Sequence, residues 1–540
     1  MIKRIFNFID FFFKLDFFTK WKEYNNLAKI INSIPKRNLL NKIIVINTIR
    51  THNIKHLDNA LLLGTALALN GAKVKILLDD GILTHWDTYQ IDALPMNINN
   101  IEKYSLNPSH IFYKEYKNFL KIILKKILIK KALRTFNIKN LEILYYSEIL
   151  DREKLNYANV EELKKHAKSS TIRFFKTCNL DYNTRYVKYY YYLSLKNAIL
   201  NRNIGEYILS KINPNIFFTI HAKYSTHGPA FEFLEQNGIK CILNVGHITH
   251  LTNKNKIFFS DIKWELLSSS RYWGRYKKTQ VTEKMKKNVG EFFEKRLKGF
   301  CLDKQGSGVK YHSSKDKEMI FKIKKDDGIK YHIAMFPNVI WDANTKDRHI
   351  VFDSYLDWLV TTINYIKNRK DIKLYIRAHP AETIWCKTSD RVIDLIKEKI
   401  SLKNIDNIIL IPPEKKVNTF DFLKSGIDLA IVYDGFLGLE MPYLKIPTIT
   451  CVKGGLFSVE GGNFTVANKE EYLNFLKNID KVIEEFHNNF NIYRNNIIRY
   501  LYWYLNENLI KIPSKNSDFM KLTKNDFNLD EKFLTLLNYL

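Results

Sequence analysis

A chain of 540 residues is too long to close around one hydrophobic core, so two or three domains are expected. Lysine and arginine exceed aspartate and glutamate by 85 − 56 = 29 charges, a balance that suits an anionic partner. The lysines accompany an abundance of Asn, Ile, Phe and Tyr, the residues that AT-rich codons encode. There is no zinc-ligand spacing and no aromatic RNA-binding motif, so a nucleic-acid partner is not expected.

Cys178, Cys241, Cys301, Cys386 and Cys451 are scattered, odd in number and form no C-x-x-C pair. A reducing cytoplasm with neither a disulfide framework nor structural zinc is the expectation. No apolar run approaches the ~18 residues of a membrane span.

Residues 1–40 form an amphipathic segment. Phe6, Ile9, Phe12, Phe13, Phe17 and Trp21 fall near one helical face, and Lys3, Arg4 and Lys14 near another. Asp10, Lys14, Asp16 and Lys20 interrupt the run, which argues against a signal peptide. Two readings stay open: a peripheral contact with the anionic inner face of a membrane, or a helix packed on the protein.

Residues 41–260 read as a Rossmann-like domain, which the resemblance given below makes the acceptor domain. KIIVINTI (42–49) is a strand, a loop carries Arg50, His52, His56 and Asp58, DNALLLGTALALNG (58–71) is a helix, and VKILLDD (74–80) is the next strand. That is a βαβ unit. Residues 108–150 carry a helical pattern with cations on one side, read as a helical insertion, and 185–212 another helix. A strand over 213–222, a turn and helix over 226–238 and a strand over 239–247 follow. The alternation fades over 261–325, where QGSG (305–308) marks a connector.

Residues 326–470 read as a second Rossmann-like domain, with strands at 329–338, 372–378, 407–410, 428–433 and 447–452 separated by helices. From 471 to 540 the chain is expected to be helical and to pack across both domains. The fold class is therefore α/β, two Rossmann-like domains facing a cleft with a C-terminal helical segment.

Two strand ends in the second domain carry chemistry. IKLYIRAHPAE (372–382) leaves Arg377, His379 and Glu382 beyond a strand, and GIDLAIVYDGFLGLEMPYLKIPTIT (426–450) places Asp434 to Glu440 in a strand-to-helix turn. Open α/β sheets bind ligands beyond the carboxyl ends of their strands. Arg377 can grip a phosphate bidentately, and His379 can hydrogen-bond or protonate one near neutral pH. The competing view is that both brace the interdomain surface. Asn338 and Asp342, past the first strand of this domain, either touch the donor or cap a turn.

The text MFPNVIWDA (335–343), SYLDWL (354–359), YIRAHPAE (375–382) and VYDGFLGLEMPYLKIPTITC (432–451) resembles the bacterial capsule-polysaccharide biosynthesis glycosyltransferases. These belong to the GT-B group with the Kdo-transferring capsule enzymes and, more remotely, the glycerophosphate polymerases of teichoic-acid synthesis. The resemblance covers about residues 325–470. It implies metal-independent transfer from a nucleotide-sugar donor, without a further cofactor, to a lipid-linked or polymeric glycan in capsule or lipopolysaccharide synthesis. Gly435 and Gly438 let backbone approach a ligand closely, Glu440 on the first helical turn either accepts ribose hydroxyls or caps the helix, and the glycine-rich loop 454–466, which contains Gly455, is expected to close over the donor. Relatives place Ser or Thr near position 434, where this chain has Asp434. The catalytic base should come from the first domain, where His52, Asp58, His221 and His227 are candidates and His56 lies close by. A trio of His52, His56 and Asp58 also has a metal-ligand look, but no third cluster supports it, so no metal site is expected. A CDP-alditol phosphotransferase, a non-hydrolysing sugar-nucleotide epimerase and a non-catalytic assembly factor are the alternatives.

Overall fold

The computed structural model describes residues 17–48, 54–83, 126–130, 133–150, 155–245, 256–297, 323, 328–342, 344, 348–384, 390–403, 405–415, 417–511 and 522–539. The first domain opens with helix α1 (Phe17–Asn32), strand β1 (Ile43–Thr48), helix α2 (Ile54–Leu69), and strands β2 (Lys73–Leu78) and β3 (Leu141–Tyr145). It continues with α3 (Val160–Phe175), α4 (Arg185–Tyr207), β4 (Ile216–Thr219), α5 (Gly228–Gln236), β5 (Lys240–Val245) and β6 (Lys256–Ser260). Where a connector was expected, α6 (Arg271–Tyr276) and α7 (Glu283–Leu297) form.

The second domain runs β7 (Tyr331–Phe336), α8 (Tyr355–Ile366), β8 (Ile372–Arg377), α9 (Val392–Lys399), β9 (Ile408–Ile411), α10 (Thr419–Lys424), β10 (Leu429–Val432), α11 (Leu437–Tyr443), β11 (Thr448–Thr450) and β12 (Phe464–Thr465). The chain then returns through α12 (Lys469–Lys477), α13 (Ile479–Asn488), α14 (Phe490–Tyr502), strand β13 (Leu509–Lys511) and α15 (Glu531–Tyr539).

Two sheets result. The first has the order β13-β6-β5-β4-β1-β2-β3, parallel from β5 to β3, with β6 and β13 added antiparallel at one edge. The second has the order β12-β11-β10-β7-β8-β9 and is parallel throughout. Both are doubly wound: each starts mid-sheet, builds outward one way, then restarts on the other side. The reversal lies between β1 and β4 in one sheet and between β7 and β10 in the other, the place where such folds hold ligands. Helices cover both faces, which is why all four residues of β10 are buried.

The C-terminal segment differs from the expected helices alone, because β13 joins the first sheet beside β6. α15 also docks on the first domain, with Phe533 against Phe218 and Phe259. One core cluster includes Val45 and Phe217 of the first sheet, Leu439 and Leu456 of the second domain, and Tyr500 and Trp503 of the returning segment. β3 falls at the end of a stretch read as helical, and its pairing with β2 overrides that pattern.

α1 packs on the first domain. Tyr24, Leu27, Ala28 and Ile31 are buried in the same cluster as α2, and Trp21 packs against it. The Tyr24 hydroxyl donates to Asp58 at 2.8 Å and Lys20 Nζ reaches the same carboxylate at 3.1 Å. Of the two readings of the N-terminal segment, the described part is a packing helix; residues 1–16 lie outside the described residues. Among the described residues no helix is long and apolar enough to cross a membrane.

Candidate functional site

The carboxyl ends of β7, β8 and β10 surround a cavity of about 360 Å³. It lies at the reversal point of the second sheet, floored by Phe336 and Val432, which are register partners in the β7–β10 pair. Of the donor residues expected from sequence, Arg377, His379, Asn338, Asp342, Asp434, Gly435 and Glu440 line it. Glu382, Gly438 and Gly455 do not.

Each absence has a physical reason. Glu382 is buried with Oε1 accepting from the Val392 N–H at 3.3 Å, so it caps α9 rather than reaching an anion. A Cβ on Gly438 would meet the Phe457 carbonyl at 3.0 Å, and one on Gly455 the Val452 carbonyl at 2.8 Å. Both glycines serve the packing of loop 454–466 against the domain. That loop is tied down, not poised to close. Asn463 Nδ2 donates to the carbonyls of Gly438 and Phe457, each at 2.9 Å, and Ser268 Oγ donates to the Ser458 carbonyl at 2.7 Å.

Asp434 does not repel a phosphate, because it turns into this loop. Its Oδ1 accepts from the Phe457 N–H at 2.9 Å, while Arg348 Nη2 lies 3.0 Å from its carbonyl and 3.4 Å from Oδ2. Burial raises the Asp434 carboxyl above its ordinary range, with Arg348 opposing the shift. Glu440 is likewise occupied: Arg296 Nε donates to its Oε1 at 2.8 Å. Arg377 is buried and anchored to Thr419 Oγ1 and the Val417 carbonyl, which fixes the plane of its guanidinium at the cavity wall.

His379 acts differently from its sequence reading. Burial, with Arg377 beside it, lowers the imidazole to about 4, so it is neutral near pH 7. Its Nδ1 accepts from the Ala381 N–H at 3.0 Å, which leaves the ring hydrogen on Nε2. The group can donate a hydrogen bond into the cavity but cannot supply a proton at neutral pH.

The lining holds three arginines, Arg296, Arg348 and Arg377, against Asp342, Asp434 and Glu440. Formal charge therefore cancels, and any pull on an anion comes from the direction of the donors. Asn338 Nδ2 donates to the Asp434 carbonyl at 3.0 Å. Asn338 Oδ1 and Arg348 Nε are buried without a partner among the described residues.

The first domain approaches the rim of the cavity at Asp342 without lining it. Arg173 of α3 donates to Asp342 Oδ1 at 2.6 Å across the cleft and lies over the Tyr224 ring at 4.9 Å. Against the cost of burial, Arg173 and Lys223 hold the Asp342 carboxyl below its usual range. Burial and Arg348 push Lys223, which pairs with Glu265, down to about 7. Tyr224 and Lys223 sit in the loop after β4, between the two candidate bases His221 and His227. Those rings are 5.7 Å apart at 77°, and His227 Nδ1 lies 2.7 Å from Thr226 Oγ1. The structure thus brings His221 and His227 together at the reversal point of the first sheet.

Asp58 is a correction. It is fully buried inside the first domain under Lys20 and Tyr24, which take up its carboxylate. His52 lies outside the described residues, as does the His56 side chain, and the Asp58 carboxylate is engaged by Lys20 and Tyr24. Among the described residues no cluster of His, Cys, Asp or Glu could hold a metal.

Sequence reasoning missed Arg296, Arg348, Arg173 and Lys223. Arg296 was findable, since Met285, Val289 and Phe293 are buried at helical spacing and Arg296 extends the row. Arg173 and Lys223 reach the site only through the way the two domains meet.

No protein-family model matches the chain, and no curated protein matches it. Among solved structures, the chain is similar to the UDP-GlcNAc 2-epimerase from Neisseria meningitidis bound to UDP-GlcNAc, at 10% identity over 85% of this chain and 98% of that one, with a TM-score of 0.22. It is similar to an Anabaena protein in complex with UDP-glucose, at 8% identity over 92% and 100%, with a TM-score of 0.28. It is also similar to the N-terminal domain of the Candida albicans trehalose-6-phosphate phosphatase, at 10% identity over 92% and 96%, with a TM-score of 0.29. Likeness at this level does not bear on the reaction.

Proposed function

We propose that the chain is a metal-independent glycosyltransferase that moves a sugar from a nucleotide donor to a glycan acceptor in bacterial surface-polysaccharide synthesis. The observation that supports this reading most is the cavity at the β7–β10 reversal point, edged by three guanidinium groups and facing the loop after β4. The resemblance of residues 325–470 to capsule-polysaccharide enzymes supports the choice of pathway class.

In this reading the bond from the anomeric carbon to the donor phosphate breaks, and its electron pair stays on the phosphate oxygen. Arg377 and Arg348 meet that charge, and His379 donates a hydrogen bond through Nε2–H. Fixed donors of this kind lower such a barrier by ~2–4 kcal/mol each. The acceptor hydroxyl oxygen bonds to the anomeric carbon, and its proton passes to His221 or His227. The acceptor is a lipid-linked or polymeric glycan held on the first domain.

The test is to incubate the protein with UDP-, GDP- and CMP-sugars and CDP-glycerol, each with a glycan primer, then separate nucleotide, sugar and glycan. Sugar on the primer with stoichiometric free nucleotide is the expected result. Epimerised sugar without transfer would replace this reading with a sugar-nucleotide epimerase. Incorporation only from CDP-glycerol would replace it with a phosphotransferase, and no nucleotide binding at all with an assembly factor.

A further inference from the structure

A second cavity of about 360 Å³, sharing no lining residue with the first, lies between α7, α11 and α14, lined by Lys286, Tyr443, Asn491, Arg494, Asn495 and Ile498. Five of these six offer hydrogen-bond donors and none is a carboxylate, in contrast to the first cavity, where three acids answer three arginines. Arg494 is held in place before any ligand arrives. Its guanidinium lies 4.8 Å over the Tyr443 ring and 6.0 Å over the Phe490 ring. One Nη2 contact reaches the Tyr443 hydroxyl at 3.4 Å. Arg494 Nε is buried without a hydrogen-bond partner among the described residues. Arg494 as a whole is only half-buried, so the outer edge of its stacked guanidinium offers fixed donors to an acceptor in the cavity. Asn491 and Asn495 stand one turn apart on α14, beside Arg494, and Lys286 comes from α7. The exposed Glu283 pairs with Lys286 at 2.7 Å but does not line the cavity.

We propose that this cavity is a binding site for a small oxyanion, a phosphate or carboxylate group, gripped by Arg494 and Lys286 with the two asparagine amides completing the shell. The group arrives either as free phosphate or as the charged unit of an acidic glycan. The site is independent of donor binding, although α7 and α11 also carry Arg296 and Glu440 to the donor cavity.

The experiment titrates the full-length protein calorimetrically with inorganic phosphate, with an oligogalacturonate, and with a neutral malto-oligosaccharide, each in the presence and absence of saturating UDP. Phosphate binding that persists under UDP, weakened about tenfold in Arg494→Gln and about threefold in Lys286→Gln, is the expected result. Binding of oligogalacturonate with the same two sensitivities assigns the acidic glycan as the source, and binding of phosphate alone assigns the free ion. Lys286 is exposed, so its replacement leaves folding intact and decides the matter if Arg494→Gln melts early. Phosphate isotherms that superimpose for wild type and Lys286→Gln, or equal binding of the neutral sugar, would overturn the proposal. Failure of UDP to bind would count against the glycosyltransferase reading and leave this site standing.

Discussion

Arg348 grips Asp434 twice, at its backbone carbonyl (3.0 Å) and at its carboxylate (3.4 Å), while the other carboxylate oxygen takes the Phe457 N–H. One ion pair therefore fixes the strand-to-helix turn and the loop behind it, and both partners line the cavity at the ends of β7, β8 and β10. Arg348→Ala leaves a buried carboxylate without its cation and should cost ~3–5 kcal/mol of stability. Asp434→Asn keeps an acceptor for Phe457 and removes a charge that burial already disfavours. It also leaves the buried Arg348 cation without its carboxylate, so its cost should be of the same order, ~3–5 kcal/mol, and denaturant titration of the two variants measures both.

Glu382 gives a pH signature. Burial lifts its carboxyl to about 7. A carboxyl raised on folding favours the folded state when protonated, so stability is highest below the ordinary value near 4.5 and falls as pH rises toward 7. Glu382→Gln keeps an oxygen for the Val392 N–H and cannot ionise. It should stabilise the protein by ~3 kcal/mol at pH 8 and leave it unchanged at pH 4.5, as melting curves at the two values would show.

His379 and His349 act in the opposite sense. Burial lowers both to about 4, with Arg377 adding to His379 and Arg348 to His349. Their contribution is whole above the ordinary value of 6.5 and is lost as pH falls from there toward 4. Both side chains are half-buried, so each should account for only ~1–2 kcal/mol of acid destabilisation. His349→Gln should flatten the melting temperature between pH 6.5 and 4.5, and an unchanged slope would refute its part.

The N-terminal helix is a fourth case. Deleting residues 1–24 removes Lys20 and Tyr24, the two side chains that hold the buried Asp58 carboxylate. The truncated protein should lose ~3–5 kcal/mol of stability. Replacing Asp58 with Asn in the truncated chain should restore part of it. A truncated protein that melts like the full chain would contradict the packing role.

The sheet alternation was legible because parallel strands buried on both faces read as short β-branched runs, as LAIV does in β10. β3, β6 and β13 were not, because each is defined by its neighbour in the sheet rather than by its own pattern. In the site, Arg377 and His379 were legible from a strand ending in charge. What each does was not: the Ala381 N–H sets the His379 tautomer, and Arg377 and burial set its charge. Asp58 misled because a carboxylate after a strand looks alike whether it faces a cleft or a lysine from an earlier helix.

The account rests on a nucleotide entering the cavity between β7, β8 and β10. The most direct measurement is the melting temperature of wild type and Arg296→Gln with CMP, CDP, UDP, GDP and their sugars, since a ligand raises it only by binding the folded state. At least one nucleotide should raise the wild-type value, and the rise should shrink in the variant, whose missing guanidinium lies on the cavity wall beside Glu440. No rise with any nucleotide, or an equal rise in both proteins, would contradict the assignment.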